Sequence, residues 1–428
     1  MEAALAILLL VVLMGLGVPV AWAFAGVLAY LVHIYDANLN TLMLQGFRSL
    51  NSVVLLALPL FVLTGYLMQS GGIALRLVNF IEAIVGRRKG GFGASLVLTS
   101  GIFGAISGTA TAAVASIGTI MIDPLEKRGY PRGYSAALLG IASLLGILIP
   151  PSITMILFAV VTRQSVAACF AATIGPAILL SLGLLIFNRV SVGRAFDEQL
   201  TGIAQRAERR GAIAKALPAL ALPAIILGGI YGGIFTPTEA AAVAVIAALI
   251  VGAFVYRDLT WARFRSSVIG AAETTGSIVL ILLFSFMISR ILAFERVPQD
   301  LTEFVTGFAT DPFWALILVN AVLIVAGALM DDVSVTVVIA PLFLPVVTAV
   351  GVDPLHFAAI VGCSVVIGAN SPPVAPILYM ACRVGRISIH HAVGPSLLLI
   401  ATVALPVMLV TTFWPELSLF FPRLFGFY

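Results

Sequence analysis

Ile102–Ser152 reads IFGAISGTATAAVASIGTIMIDPLEKRGYPRGYSAALLGIASLLGILIPPS, and its reading decides the fold. It carries a Ser-Gly-Thr-Ala-Thr cluster, Ser107 to Thr111, between two apolar arms, each too short to cross a bilayer as a helix. It ends on Ile149-Pro150-Pro151-Ser152, a forced break inside a long apolar segment. Irregular backbone at membrane depth is tolerated only where it is buried in protein or lines a cavity. The two interruptions are therefore expected to face each other as two walls of one site.

The surrounding composition is that of a membrane protein. Hydrophobic residues make up 61% of the chain and charged residues 10%, with a mean hydropathy of +1.14; soluble domains carry roughly 25% charged residues. The 428 residues leave room for about ten to twelve crossings. No polar stretch is long enough for a separate soluble domain, so residues 1–428 read as one integral membrane domain. The start, Met1-Glu2-Ala3, lacks the basic region of a signal peptide, and the first apolar run is expected to stay as a helix. Cys169, Cys363 and Cys382 lie in or beside apolar runs without metal-ligand spacing and read as buried small side chains. HExxH, GxSxG and Walker A patterns are absent, so the chain does not read as an enzyme, and coupling must come from an ion gradient or a partner.

Outward from the opening stretch, Leu5–Tyr35 is apolar but interrupted at Gly15–Pro19, giving two short helices or one broken one. Asp36–Asn51 reads as a polar connector and Ser52–Gln69 as a crossing. In Ile73–Gly86 the polar residues Arg76, Asn79 and Glu82 recur every third position, the pattern of an amphipathic helix lying in the interface. The arms Phe92–Ala105 and Ala112–Ile122 form a re-entrant hairpin, and Gly133–Val161 is a helix broken at Pro150-Pro151. Further crossings are Phe170–Phe187, Leu217–Ile234, Ala240–Tyr256 and Thr274–Phe294, with Asn188–Lys215 outside the lipid.

The pattern then returns. Leu301–Phe308 resembles the interfacial piece; Phe313–Leu329 and Thr336–Val350 flank Met330-Asp331-Asp332-Val333-Ser334. Leu355–Arg383 is broken at Ala369-Asn370-Ser371-Pro372-Pro373, and Val393–Trp414 closes the chain. An offset of about 221 residues puts Pro150-Pro151 on Pro372-Pro373, Gly86 on Gly307 and Asp36 on Asp258. Shared apolar composition does not align interruptions. Repeat one spans about 1–190, with its hairpin at 91–125 and broken helix at 133–162. Repeat two spans about 215–414, with its hairpin at 312–350 and broken helix at 355–383. An odd number of crossings separates the hairpins, so the repeats are expected to be inverted. The fold class is thus an all-α polytopic membrane protein with inverted repeats, each holding a re-entrant hairpin and a broken transmembrane helix.

Loop charge gives the same answer. The base of the first hairpin carries Arg87, Arg88, Lys89, Lys127, Arg128 and Arg132; Arg257, Arg263 and Arg265 form a second basic loop, and Arg383 and Arg386 a third. The base of the second hairpin carries Asp300, Glu303, Asp311 and Asp353, with one nearby Arg296. Basic loops collect on the cytoplasmic side, which places both termini in the periplasm if the first 35 residues cross twice in a bacterial protein. Arg48 and Arg163 are exceptions on the acidic side.

A Ser/Thr-rich hairpin tip beside an unwound helix offers hard oxygen donors for a small cation, with half-helix ends adding partial charge. The Na⁺ candidates at the first site are Ser107, Gly108, Thr109 and Thr111, facing carbonyls of Ile149 and Pro150. At the second, Asp331, Asp332 and Ser334 face Gly368 and Asn370. An intramembrane carboxylate is a functional hypothesis in itself, and the Asp331-Asp332 pair calls for a cation or a proton. Inverted symmetry implies two or more Na⁺. Glu239 reads as a helix cap, Arg290 as a snorkelling side chain, and His33, His356, His390 and His391 as interfacial residues.

The combination GxxSGTATA at Gly104–Ala112, GILIPPS at Gly146–Ser152, GGIFTPTEAA at Gly232–Ala241 and ANSPP at Ala369–Pro373 resembles the large membrane subunit of TRAP (tripartite ATP-independent periplasmic) transporters, over essentially the whole chain. The resemblance implies Na⁺-driven uptake of an organic acid, such as a C4-dicarboxylate or sialic acid, by an elevator movement of the hairpins and broken helices in a bacterial inner membrane. It also implies a periplasmic substrate-binding protein and a small membrane subunit of about four helices on a separate polypeptide. Substrate candidates are Ser107, Thr109, Ser152, Asn370 and Ser371. Alternatives are a stand-alone Na⁺/dicarboxylate symporter and, lower in rank, a membrane-embedded enzyme.

Overall fold

The structure, a computed structural model, describes residues 2–85, 88–192, 206–308, 311–372 and 374–428. Gly86, Arg87, Pro373 and the middle of the Asn188–Lys215 stretch lie outside the described residues. Among the described residues eight helices are long and apolar enough to cross a membrane, and a ninth span is a pair bent by 45° between Arg132–Leu148 and Ile153–Thr162. The chain is an all-α, multi-pass membrane protein.

The first apolar run splits into α1 (Glu2–Gly15) and α2 (Val20–Ile34), where Gly17 turns at φ 82° and Pro19 cannot continue the helix. The connector expected at Asp36–Asn51 is instead largely helical. Asn38 accepts the Thr41 N–H at 3.1 Å and starts α3 (Leu39–Leu50). Its polar residues Asn40, Thr41 and Gln45 dilute the apolar signal, yet Leu42 and Gly46 are buried on one side. After a short 3₁₀ turn comes α4 (Ala57–Ser70). The amphipathic helix is α5 (Ile73–Val85), with Ile73, Leu77, Val78 and Ile81 buried. Its polar face is tied down: Arg76 pairs with Asp258 at 2.6 Å, and Glu82 with Arg128 at 3.0 Å.

The first hairpin is α6 (Gly91–Ser107) and α7 (Ala110–Lys127), joined at Gly108-Thr109. Gly108 sits at φ 67°, a left-handed conformation that glycine adopts without steric cost. Thr109 caps α7 by accepting the Ala112 N–H at 3.3 Å. The broken helix is α8 (Arg132–Ser143), α9 (Leu145–Leu148) and α10 (Ile153–Thr162). α11 (Val166–Ser191) completes this half.

The second half opens with α12 (Arg206–Tyr231) and α13 (Pro237–Ile250), which a π turn extends through Val251–Val255. Thr236 and Glu239 form a reciprocal capping box at the start of α13, the capping role read from the sequence. The next helix, α14 (Trp261–Phe294), is 34 residues long and absorbs most of the basic stretch expected to be a loop, because Thr260 caps it at Trp261. There follow α15 (Val297–Phe308) and α16 (Pro312–Leu329). A second arm is built from α17 (Asp332–Ser334), a π turn and α18 (Ala340–Ala349). A second interrupted pair is α19 (Pro354–Gly368) and α20 (Pro376–Val384). α21 (His390–Leu399) and α22 (Leu405–Phe413) join through a π turn. The chain does not close at Trp414: α23 (Pro415–Leu424) follows, with Pro415 at its start, and packs on α11.

The starts of α3 and α14, α6 and α16, α7 and α17, α8 and α19, and α10 and α20 are each separated by about 222 positions. Left-handed residues recur at the same spacing: Asp36 and Arg257, Gly129 and Gly351, Arg163 and Arg386. The hairpins and broken helices pack as a core: α6 on α8 and α9, α16 on α19, α20 on α7 and α8, and α17 on α10. Beside this core, α4 packs against α13 and α14.

Candidate functional site

The first hairpin tip meets the break in α8–α10. The Gly108 carbonyl accepts the Ile153 N–H at 3.2 Å. A Cβ on Gly108 would lie 3.0 Å from the Pro151 carbonyl oxygen. The contact thus falls on Pro151 and Ile153, one and three residues past Pro150, and not on the Ile149 and Pro150 expected from sequence. The carbonyls of Ile149 and Pro150 accept no hydrogen bond from the described residues, and the Pro150-Pro151 peptide is cis. Free carbonyls and hydroxyls in a buried seam suit a small hard cation. Ser152 is committed elsewhere: it caps α10 by accepting the Met155 N–H at 3.4 Å.

A cavity of about 270 Å³ opens on this tip. Ser107, Thr109 and Thr111 line one wall. The opposite wall is Gly65, Tyr66 and Gln69 of α4 with Thr274 of α14, and Met380 of α20 closes one side. Tyr66 and Thr274 hydrogen-bond through their hydroxyls at 2.9 Å, which fixes the phenol. Gly65 lets the tip approach: a Cβ there would stand 3.2 Å from the Ser107 Cβ. The lining includes no charged residue. Such a lining offers a guest only neutral donors and acceptors and half-helix ends.

Sequence reasoning found the hydroxyl wall but missed Tyr66, Gln69 and Thr274. Their signal was present, as polar side chains one turn apart on the otherwise apolar α4 and a Thr on α14, but nothing in one sequence says that these helices stand opposite the tip. Thr109→Ala removes both the α7 cap and a cavity hydroxyl. We expect a loss of about 1 kcal/mol in stability, whereas Thr109→Ser keeps both; thermal melting of the two variants checks this.

The second site differs from its expected form. Asp331 accepts a hydrogen bond from the Ser334 hydroxyl within its own turn. Asp332 accepts from the Thr154 hydroxyl at 2.7 Å. The second hairpin therefore reaches the first break, at the opening turn of α10, where the helix end carries partial positive charge. No hydrogen bond joins the aspartates to Gly368 or Asn370 among the described residues. The second break satisfies its own carbonyls: Gly368 accepts the Ser371 N–H at 2.9 Å, Ala369 the Ile377 N–H at 3.1 Å, and Asn370 the Ser396 hydroxyl at 3.2 Å. The Ser371 hydroxyl donates to Ile367 at 2.7 Å. What remains free is the buried Asn370 Oδ1, which faces Gly140 of α8 and has no hydrogen-bond partner. That orphaned oxygen is the feature of the second break that fits a cation.

The other sequence assignments resolve simply. Cys169, Cys363 and Cys382 are free and buried. Arg290 lies over the Phe294 ring at 4.6 Å. His33, His390 and His391 are exposed, but His356 is buried, with Nε2 2.7 Å from the Thr411 carbonyl. Proximity to a helix start misled there, because α19 begins inside the protein.

The fold is that of a multi-pass membrane protein with a polar cavity on a buried seam. The sequence profile of the DctM component of tripartite ATP-independent periplasmic transporters matches residues 7–417. The chain belongs to that family. It is 34% identical to the C4-dicarboxylate TRAP transporter large permease protein DctM of Pseudomonas aeruginosa, over 94% of this chain and 93% of that one. It is also 34% identical to the isethionate TRAP transporter permease protein DctMQ of Oleidesulfovibrio alaskensis, covering 95% of this chain but only 64% of the longer relative. Among solved structures, the YdaH transporter of Alcanivorax borkumensis shares the fold, with a TM-score of 0.63 at 14% identity and 88% coverage of each chain.

Proposed function

We propose that this chain is the large permease of a tripartite secondary transporter that takes up a small organic acid together with Na⁺ across a bacterial inner membrane. The observation that carries this reading is the cavity between the hydroxyl-lined hairpin tip and the α4–α14 wall. One wall belongs to the hairpin core and the other to the helices beside it. A cavity split between two bodies suits an elevator, in which the core carries cargo past a fixed scaffold. The recurrence of element starts and left-handed residues supports inverted repeats, and loop charge supports periplasmic termini. The named cargoes of the two relatives, a C4-dicarboxylate and isethionate, are both organic anions, which Ser/Thr hydroxyls and backbone N–H groups can hold. Oxygens at Ser107, Gly108, Thr109, Ile149 and Pro150, and at Asp331, Asp332 and Asn370, would hold Na⁺.

The partners in this reading are a periplasmic binding protein that delivers the acid and a small membrane subunit. The greater length of the isethionate relative is consistent with a fused small subunit. The test is uptake of labelled succinate or isethionate into proteoliposomes holding the permease with both partners. Uptake should require an inward Na⁺ gradient and the binding protein. Equal uptake without Na⁺ would overturn the coupling, and full uptake without the binding protein would favour a stand-alone symporter.

A further inference from the structure

The Phe235–Glu239 motif and Arg163 have no part in the cavity described above, yet they meet. A crevice of about 520 Å³ lies between Ser52, Thr236 and Thr238 on one side and Arg163, Gln164 and Ser165 on the other. The first side is the turn before α4 and the start of α13, and the second is the link between α10 and α11. The crevice therefore lies on the same seam between core and flanking helices as the hairpin-tip cavity. Thr238 donates its hydroxyl to the Val53 carbonyl at 3.2 Å, which locks that wall. Glu239 does not line the crevice; its carboxylate accepts the Thr236 N–H and hydroxyl, each at 2.8 Å.

Arg163 ends α10 in a left-handed conformation, φ 58°, and is exposed. Its guanidinium has no ion pair or hydrogen-bond partner among the described residues. Arg163 also breaks the charge pattern: it is a cation on the face where Asp300, Glu303, Asp311 and Asp353 collect. An exposed arginine held in a left-handed backbone conformation, and left unpaired in a crevice, is available to an anion.

We propose that this crevice is the entry vestibule for the cargo's anionic group, a carboxylate or sulfonate, with Arg163 as the capturing donor. The proposal rests on the organic-acid reading and on the acidic face being periplasmic. A planar carboxylate, or two of the three oxygens of a tetrahedral sulfonate, can meet the guanidinium fork, and the volume exceeds what a small acid needs.

The experiment uses the complete transporter in proteoliposomes with succinate as probe. Arg163→Asn suits the left-handed backbone and removes the guanidinium with its charge; Arg163→Lys retains the charge. The Asn variant should raise KM about five- to tenfold with Vmax kept within about twofold, and the Lys variant should recover most of the loss. A second readout places Cys at 163 after the three native cysteines are replaced by Ala. A membrane-impermeant cationic thiol reagent added outside should restore uptake, an anionic one should depress it, and succinate should slow both reactions. Unchanged KM in Arg163→Asn, or labelling indifferent to succinate, overturns the proposal. Protection by the binding protein without succinate overturns it in favour of protein docking. Labelling only from the cytoplasmic side overturns it through the orientation. Failure of the unaltered transporter to carry either succinate or isethionate overturns the organic-acid reading itself.

Discussion

Asp332→Asn is expected to reduce Na⁺-coupled uptake by about 100-fold, equivalent to roughly 2.7 kcal/mol of lost stabilisation, while leaving the protein folded. The substitution keeps the size of the side chain and an oxygen that can still accept from the Thr154 hydroxyl, now 2.7 Å from the carboxylate. What it removes is the negative charge beside a second carboxylate, in a segment that is apolar on either side. Two adjacent carboxylates repel each other, and one hydroxyl apiece does not neutralise them. A bound cation relieves both at once, so the charge is worth most when Na⁺ is present. Thr154→Val separates the two roles of the contact. It deletes the hydroxyl that ties the second hairpin to α10 but leaves the charge, and should cost about 1 kcal/mol of stability with uptake mostly retained. Uptake and melting temperature, each measured across a Na⁺ titration, decide the matter. In the unaltered protein Na⁺ should raise the melting temperature, and in Asp332→Asn that rise should vanish. A variant that transports normally with the usual Na⁺ dependence would leave Asp332 as a structural anchor only.

The sequence made the fold legible wherever an interruption was chemically forced. Pro150-Pro151 cannot continue a helix, and Ser107–Thr111 cannot extend an apolar arm, so the hairpin and the broken helix followed directly. Boundaries failed where one polar residue outweighed the periodicity: Asn38 reads as loop but caps α3, and Thr260 starts α14 well before its apolar run. The site was half legible. Hydroxyls in a tip announce themselves, but partners contributed by distant segments do not. Pairing Asp332 with Asn370 followed from assuming that each hairpin serves its own half. The structure crosses them instead, Asp332 to Thr154 and Asn370 to Gly140, because α10 and α8 lie between the two breaks. Which helix stands opposite which tip is a property of packing, and one sequence without homologues carries no record of it.

Gly104→Ala should be severely destabilising, because it sets the first hairpin against the backbone of the broken helix. A Cβ at Gly104 would lie 2.5 Å from the Gly146 Cα and 2.8 Å from its nitrogen. Both are backbone atoms of α9, which cannot turn aside as a side chain can. The hairpin arm and the broken helix must separate, and every contact along the seam loosens with them. The expected cost is about 3 kcal/mol, with uptake falling in step with the amount of folded protein rather than through KM. The second half repeats the arrangement, α16 against α19, with Gly327 and Gly368 in the corresponding places. A Cβ on Gly368 would stand 2.7 Å from the Gly327 Cα, whereas one on Gly327 would stand 3.2 Å from the Gly368 Cα. The geometry therefore ranks the four: Gly104→Ala and Gly368→Ala severe, Gly146→Ala, at 2.9 Å, intermediate, and Gly327→Ala mildest at about 1 kcal/mol. Thermal inactivation of the purified variants tests the order, and a Gly327→Ala protein less stable than Gly104→Ala would rule out backbone contact as the cause. The order matters for transport as well as for stability. A hairpin tip can present oxygens to an ion at fixed distances only if its arm cannot slide along the broken helix, and removing the side chains from both surfaces brings the backbones into that contact.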